Sequence, residues 1–326
     1  MVRLSLFVVG AALFMVLLVR IGPGAVAEAF STLSWRVLVI LCFPAVPVIA
    51  FDTLGWRFAF RRDRVPFRAL VLTRLAGEAF NMTTPTASIG GEAVKAWFLR
   101  PYVALEESLS SIVVAKTTAT IAQALFLLLG IAVAWPILPA DSPLLWGMQW
   151  LLGLEVIGVG GFVIVQVVGV LGATGRLLRR LGRLGTDVGS RTLVPLDRAL
   201  SSFYRHEPRR LLLSVACHFL GWALGALEAY VILHALGLPV SFATATVIEA
   251  FGTGISFATF LVPGHLGALE GGYVAAFAAL GLGAPAGLAF GLISRVREAV
   301  WTGVGFLALI VLRSPAASSA AMESES

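Results

Sequence analysis

Residues 85–92 read PTASIGGE and residues 263–270 read PGHLGALE. Both octets sit in apolar surroundings and place a glutamate seven residues after a proline, Glu92 after Pro85 and Glu270 after Pro263. A cation follows each in the next apolar stretch: Lys116 lies 24 residues beyond Glu92, and Arg295 lies 25 beyond Glu270. Charge at membrane depth costs roughly 2.5–3.5 kcal/mol per residue on insertion scales. Such an element recurring in one chain points to a duplicated transport machine rather than a passive anchor. The offsets to the cation differ by one residue, about 100° around a helix, so chance recurrence within two breaks stays open.

The surroundings set the class. The chain has 326 residues, of which 58% are hydrophobic and 13% charged, with mean hydropathy +0.92. A soluble chain of this length needs far more polar surface. Apolar stretches at 37–56, 109–134, 148–172, 211–236 and 284–312 are long enough to cross about 30 Å of hydrocarbon, and 5–19 is marginal. The expected fold is an all-α polytopic membrane protein with about six spanning helices and two re-entrant helical hairpins. Residues 1–313 form one transport domain, and 314–326 a disordered tail. Ala25-Val26-Ala27 offers a small-x-small cleavage site, but a retained first helix is the expectation. Cys42 and Cys217 stand alone in apolar runs and read as buried thiols.

The formal charge of +6 invites a nucleic-acid reading, and its placement argues against one. Residues 173–210 hold nine arginines against three acids, and 57–68 hold five against Asp63, while 137–147 carry only Asp141. This is the positive-inside pattern of a multi-pass bacterial inner-membrane protein, with basic loops and C-terminus cytoplasmic. The basic loops can also attract anionic headgroups. In the central loop, Arg176, Arg179, Arg180 and Arg183 alternate with leucines. That stretch suits either an interfacial amphipathic helix or an extension of the preceding span.

Topology follows from these assignments. Residues 69–100 must start and finish inside, and 243–282 must start and finish outside. Each contains two apolar-leaning arms around a Pro/Gly break, so each reads as a hairpin, entering from opposite faces and followed by a spanning helix. An inverted repeat of this kind permits alternating access.

The polar residues of the breaks and arms are the site candidates. Pro85 lacks an amide donor, and Gly90 and Gly91 allow close backbone approach. Glu92 in the first turn of a restarted helix suits its dipole, with Ser88 or Thr86 as cap. Broken backbone at membrane depth survives only where it is buried in protein or lines a wet cavity; a plain interfacial loop with snorkelling ends is the alternative. Glu92 and Lys95, Arg74 and Glu78, and Arg295 and Glu298 are spaced to share helix faces and could neutralise themselves as structural pairs. The functional alternative has Arg74, Lys116, Arg295 and Arg297 facing a common cavity, meeting an anionic headgroup while glutamates hold them ready. Lys116 has no acid at i±3 or i±4 and needs a tertiary partner, Glu92 or Glu270. Glu155, Glu228 and Glu249 also lie in apolar settings; Glu249, on the arm leading to the second break, and Glu270 could take part in proton coupling. His265 within PGHLG could meet substrate. No spacing suggests a metal, cofactor or nucleophile–base set.

TPTASIGGEAVKAWFL, SIVVAKTTATIAQALFLLLG and FLVPGHLGALEGGYVAAF resemble the flippase-like membrane family that includes the transmembrane part of bacterial lysylphosphatidylglycerol synthases. Within it the chain looks most like the hopanoid-biosynthesis-associated transport proteins. The resemblance covers most of residues 5–312 and implies lipid translocation or trafficking without covalent chemistry. The matching positions are Pro85, Gly91, Glu92 and Lys95, then Pro263, Gly264, Gly267, Glu270, Gly271, Arg295, Arg297 and Glu298, with Asn81 a weaker match. No aminoacyl-transfer domain follows, so lysyl transfer is not expected. Expected partners are membrane lipids, with a lipid-modifying enzyme or a second copy as further ones. An ion-coupled carrier of a small anion and a scaffold for a lipid-modifying enzyme are the competing functions.

Overall fold

A computed structural model describes residue 24 and residues 45–83, 90–168 and 194–313. The first apolar segment, Cys42, Pro85 with the caps Thr86 and Ser88, the arginine–leucine stretch at 176–184 and the tail lie outside the described residues. Ten helices are described in chain order: α1 (Ala45–Phe58), α2 (Phe67–Thr83), α3 (Gly90–Phe98), α4 (Leu105–Ala134), α5 (Pro143–Val168), α6 (Val194–His206), α7 (Pro208–Ala235), α8 (Phe242–Ala258), α9 (Ala268–Ala279) and α10 (Ala284–Arg313). No strand occurs among the described residues, and the protein is an all-α polytopic membrane protein.

Leu105–Ala134, Pro143–Gln166 and Pro208–Ala235 are each long and apolar enough to cross a membrane. Helix α10 matches them at 30 residues, or about 45 Å at 1.5 Å per residue, but Arg295, Arg297 and Glu298 interrupt its apolar run. The span expected at 37–56 is described from Ala45 onward. Each expected hairpin resolves into two helices too short to cross, α2 with α3 and α8 with α9. The second break holds a short 3-10 turn at Pro263–His265, with Gly264, His265 and Gly267 at positive φ. His265 is the non-glycine among them; its Nδ1 lies 3.1 Å from Thr259 Oγ1 and 3.2 Å from Thr259 O. The ring folds back on its own break.

The packing is reciprocal. Helix α2 lies along α10, and α8 lies along α4, so the first arm of each hairpin rests on the long helix following the other hairpin. Small residues make both contacts. A Cβ on Gly305 would come 2.4 Å from Leu75 O, and one on Gly130 would come 2.2 Å from the Ala250 Cβ. Close backbone approach of this kind drives helix association where lipid tails remove the hydrophobic driving force. Gln123 Nε2 of α4 donates to Thr253 O of α8 at 2.6 Å. Helices α1 and α7 also pack together, and α1 touches α2 and α4.

Three apolar clusters fill the interior. Trp56, Phe60, Leu99, Leu200 and Phe203 close one end, Ile232, Tyr273, Phe277 and Phe290 support α9, and Phe126, Leu127 and Met148 join α4 to α5. Helix α6 enters the first cluster through Leu196, Leu200 and Phe203. Helix α5 instead exposes Trp150, Leu154, Val156, Ile157 and Ile164, the outward apolar surface that a bilayer covers.

Candidate functional site

Five helices carry charge toward one place. On α2, Arg74, Glu78 and Asn81 follow at spacings of four and three, so they share a face. Opposite them stand Asp52 of α1, Glu92 and Lys95 of α3, Lys116 of α4 and His218 of α7. Lys95 Nζ lies 3.0 Å from Glu78 Oε1 and 3.2 Å from Glu92 Oε2, while Lys116 Nζ lies 3.2 Å from Glu92 Oε1. The four charges alternate in sign along a chain, Glu78–Lys95–Glu92–Lys116. Beside it, Arg74 Nη2 donates to Asp52 Oδ2 at 2.7 Å, and His218 Nδ1 lies 3.0 Å from Asp52 Oδ1.

The tip geometry holds this chain in place. Asn81 reaches across from α2 to the first turn of α3, where it satisfies one backbone amide: its Oδ1 accepts from Gly91 N at 2.8 Å, and its Nδ2 lies 3.4 Å from Glu92 Oε1. Helices α2 and α3 touch backbone to backbone, because a Cβ on Gly91 would fall 2.1 Å from Gly77 O and 2.4 Å from Asn81 Oδ1. Gly91→Ala is therefore expected to push α3 away and break the Asn81 cap. Overpacking costs about 1–3 kcal/mol and a lost cap about 1 kcal/mol. Thermal unfolding in detergent should show a clear loss, with Gly153→Ala, where nothing lies within 4 Å, near wild type.

The second tip is built on the same plan with different chemistry. Glu270 Oε2 accepts from Gly267 N at 2.8 Å and caps α9, while its Oε1 accepts from Arg295 Nε at 2.6 Å. Arg295 Nη1 also donates to Glu298 Oε2 at 2.8 Å, and Arg297 Nη1 to Glu228 Oε2 at 2.6 Å. Glu249 lies against Gly225 and makes no hydrogen bond or ion pair among the described residues. Glu155 on α5 is buried with both carboxylate oxygens unpartnered among them.

Two cavities meet at the first cluster. One, of about 300 Å³, is lined by Asp52, Arg74, the four-charge chain, His218, Trp56 and Trp222. The other, about 190 Å³, shares Asp52, Arg74 and Glu78 and continues over Val48, Ile49, Leu75, Met82 and Trp301 to Arg297 and Glu298. Trp56 closes the larger cavity at one side, its Nε1 donating to Ser111 Oγ at 3.2 Å and its ring 5.8 Å from Lys95 Nζ. Ser111 lines a third cavity, about 470 Å³, that carries Arg61, Arg62 and Arg64. The Trp56–Ser111 contact is thus a wall between the inner charge cluster and a vestibule that also carries Glu106, Glu107 and Glu207.

The structure settles several pairings. Lys116 meets Glu92, and Arg295 meets both Glu270 and its i+3 neighbour Glu298. Arg74 and Glu78 do not pair with each other: Asp52 takes Arg74, and Lys95 takes Glu78. An i,i+4 pair with the cation first is the weaker orientation, and both residues have opposite charges facing them from other helices. Arg297 finds its partner 69 residues away in Glu228. Asp52 and His218 belong to the cluster although no spacing singles them out; the available signal is that Asp52 is the one acid in its apolar stretch. Among the described residues no group of His, Cys, Asp and Glu could hold a metal ion.

Comparisons with curated proteins and with solved structures returned no match. The family model of the lysylphosphatidylglycerol synthase TM region matches residues 2–305, which include both tips and every residue of the two charge clusters, and the chain belongs to that family.

Proposed function

We propose that this protein moves a phospholipid between the leaflets of the bacterial inner membrane, without covalent chemistry. One observation carries the reading: a cavity lined by alternating charges shares the wall Asp52–Arg74–Glu78 with a mainly apolar one. A headgroup suits the first and acyl chains suit the second. Membership in a family named for the membrane region of a lipid synthase supports lipid handling. A small anionic solute would use the cations and leave the apolar compartment without a purpose. A hopanoid skeleton would face unsatisfied charge.

The hairpins act as the moving parts in this reading. In this reading residues 57–68 and the C-terminal end of α10 lie on the cytoplasmic side, as the basic loops favour, so the α2–α3 tip approaches from inside and the α8–α9 tip from outside. Exchange of access between faces is then a rearrangement about the two breaks. Reconstitution in liposomes tests this with leaflet-specific assays of labelled phospholipid and labelled hopanoid. Phospholipid should equilibrate faster than in protein-free vesicles, with hopanoid at background. Background rates for both, under either imposed ion gradient, would overturn the proposal.

A further inference from the structure

The chain Glu78–Lys95–Glu92–Lys116 has two kinds of member. Lys95 and Glu92 each contact two opposite charges, and their side chains are 10% and 18% exposed. Glu78 and Lys116 are the ends, each with one partner in the chain and with 48% and 51% of the side chain exposed. Both ends line the same 300 Å³ cavity. The cavity therefore presents one accessible carboxylate and one accessible ammonium, and the four formal charges cancel. The neighbouring Asp52–Arg74 pair cancels as well.

From this we infer that the cargo headgroup is zwitterionic, a phosphate ester bearing a primary ammonium; the inference rests on the phospholipid reading above. The phosphate sits at Lys116 and the ammonium turns back to Glu78, on the wall shared with the apolar cavity, so the headgroup closes the open chain into a ring of alternating charges. An anionic headgroup would satisfy Lys116 but bring a second negative charge toward Glu78 and leave that carboxylate without a new partner. A zwitterion satisfies both ends and adds no net charge at a depth where net charge is costly. A primary ammonium also donates hydrogen bonds that the Glu78 carboxylate can accept. The vestibule beyond Trp56 repeats the balance. Once Arg61 pairs with Glu207, Arg62 and Arg64 have no ion-pair partner among the described residues and line it together with Glu106 and Glu107.

Titration calorimetry on the full chain in detergent tests this with dihexanoylphosphatidylethanolamine and dihexanoylphosphatidylglycerol as probes. The ethanolamine lipid should bind about tenfold tighter, the equivalent of one charged hydrogen bond. Glu78→Gln should abolish the preference while keeping glycerol-lipid binding, and Lys116→Gln should weaken both. Equal or tighter binding of the glycerol lipid to wild type, or a preference that survives Glu78→Gln, overturns the inference. Should Glu78→Gln bind neither lipid, Glu78→Asp must restore the preference, and its failure to do so also overturns it. In liposomes, movement of labelled phosphatidylglycerol but not phosphatidylethanolamine would sink the zwitterion and leave translocation standing. A binding preference with no movement of either lipid would do the reverse.

Discussion

Glu270→Gln is expected to cost about 3–5 kcal/mol of stability, the usual result of removing one partner from a buried ion pair. The carboxylate is 1% exposed and does two jobs, capping α9 through Gly267 N and holding Arg295 Nε at 2.6 Å. Glutamine can keep the cap, since its amide oxygen accepts as well. It cannot hold the guanidinium. Arg295 would then rely on Glu298 alone, with its Nη2 already unpartnered among the described residues. Denaturant or thermal unfolding of purified protein checks the magnitude. Adding Arg295→Met to Glu270→Gln should recover part of the loss, because the stranded charge goes with it. A single variant within about 0.5 kcal/mol of wild type would mean that this pair is not structural, the range typical of neutral surface changes.

How much of this was legible beforehand differs from residue to residue. The Pro-to-Glu spacing marks both tips, and both glutamates do meet the cation one helix further on. The one-residue mismatch, 24 against 25, does not prevent this because each contact is tertiary. A hairpin tip faces a separate helix, and side chains of different length absorb the 100° of phase. Hydropathy likewise locates the long helices. It fails for Asp52, which is absorbed into an apolar stretch and reads as part of a span, and for Glu228, whose partner Arg297 is set by how α7 and α10 pack. The reciprocal packing of α2 on α10 and α8 on α4 depends on where Gly305 and Gly130 meet small or backbone atoms of another helix. One sequence records the glycines and not their partners. Capping of α3 by Asn81 is similar, since sequence logic looks for a cap just before the helix and this one comes from the preceding arm.

Lys116→Gln is expected to act in the opposite way to Glu270→Gln, although Glu92–Lys116 and Glu270–Arg295 occupy matching places in the two halves. Lys116 is half exposed to the cavity and Glu92 has Lys95 as a second partner. Removing the lysine therefore strands no buried charge, and an exposed pair contributes about 0–1 kcal/mol. Stability should stay close to wild type. Transport should not. The ammonium is the accessible cation at the end of the charge chain, and a hydrogen bond to a charged group carries about 1.5–3 kcal/mol. If the lipid phosphate uses it during passage, the rate should fall about tenfold or more. Lys116→Arg keeps the charge and should retain part of the rate, separating electrostatics from packing. Leaflet-exchange assays and unfolding curves on the same preparations decide the matter. Wild-type exchange by Lys116→Gln would remove this lysine from the transport path, and a stability loss equal to that of Glu270→Gln would make the first tip as structural as the second. The expected split, flux at Lys116 and stability at Glu270, would mean that duplication supplied two similar tips and burial gave them different work.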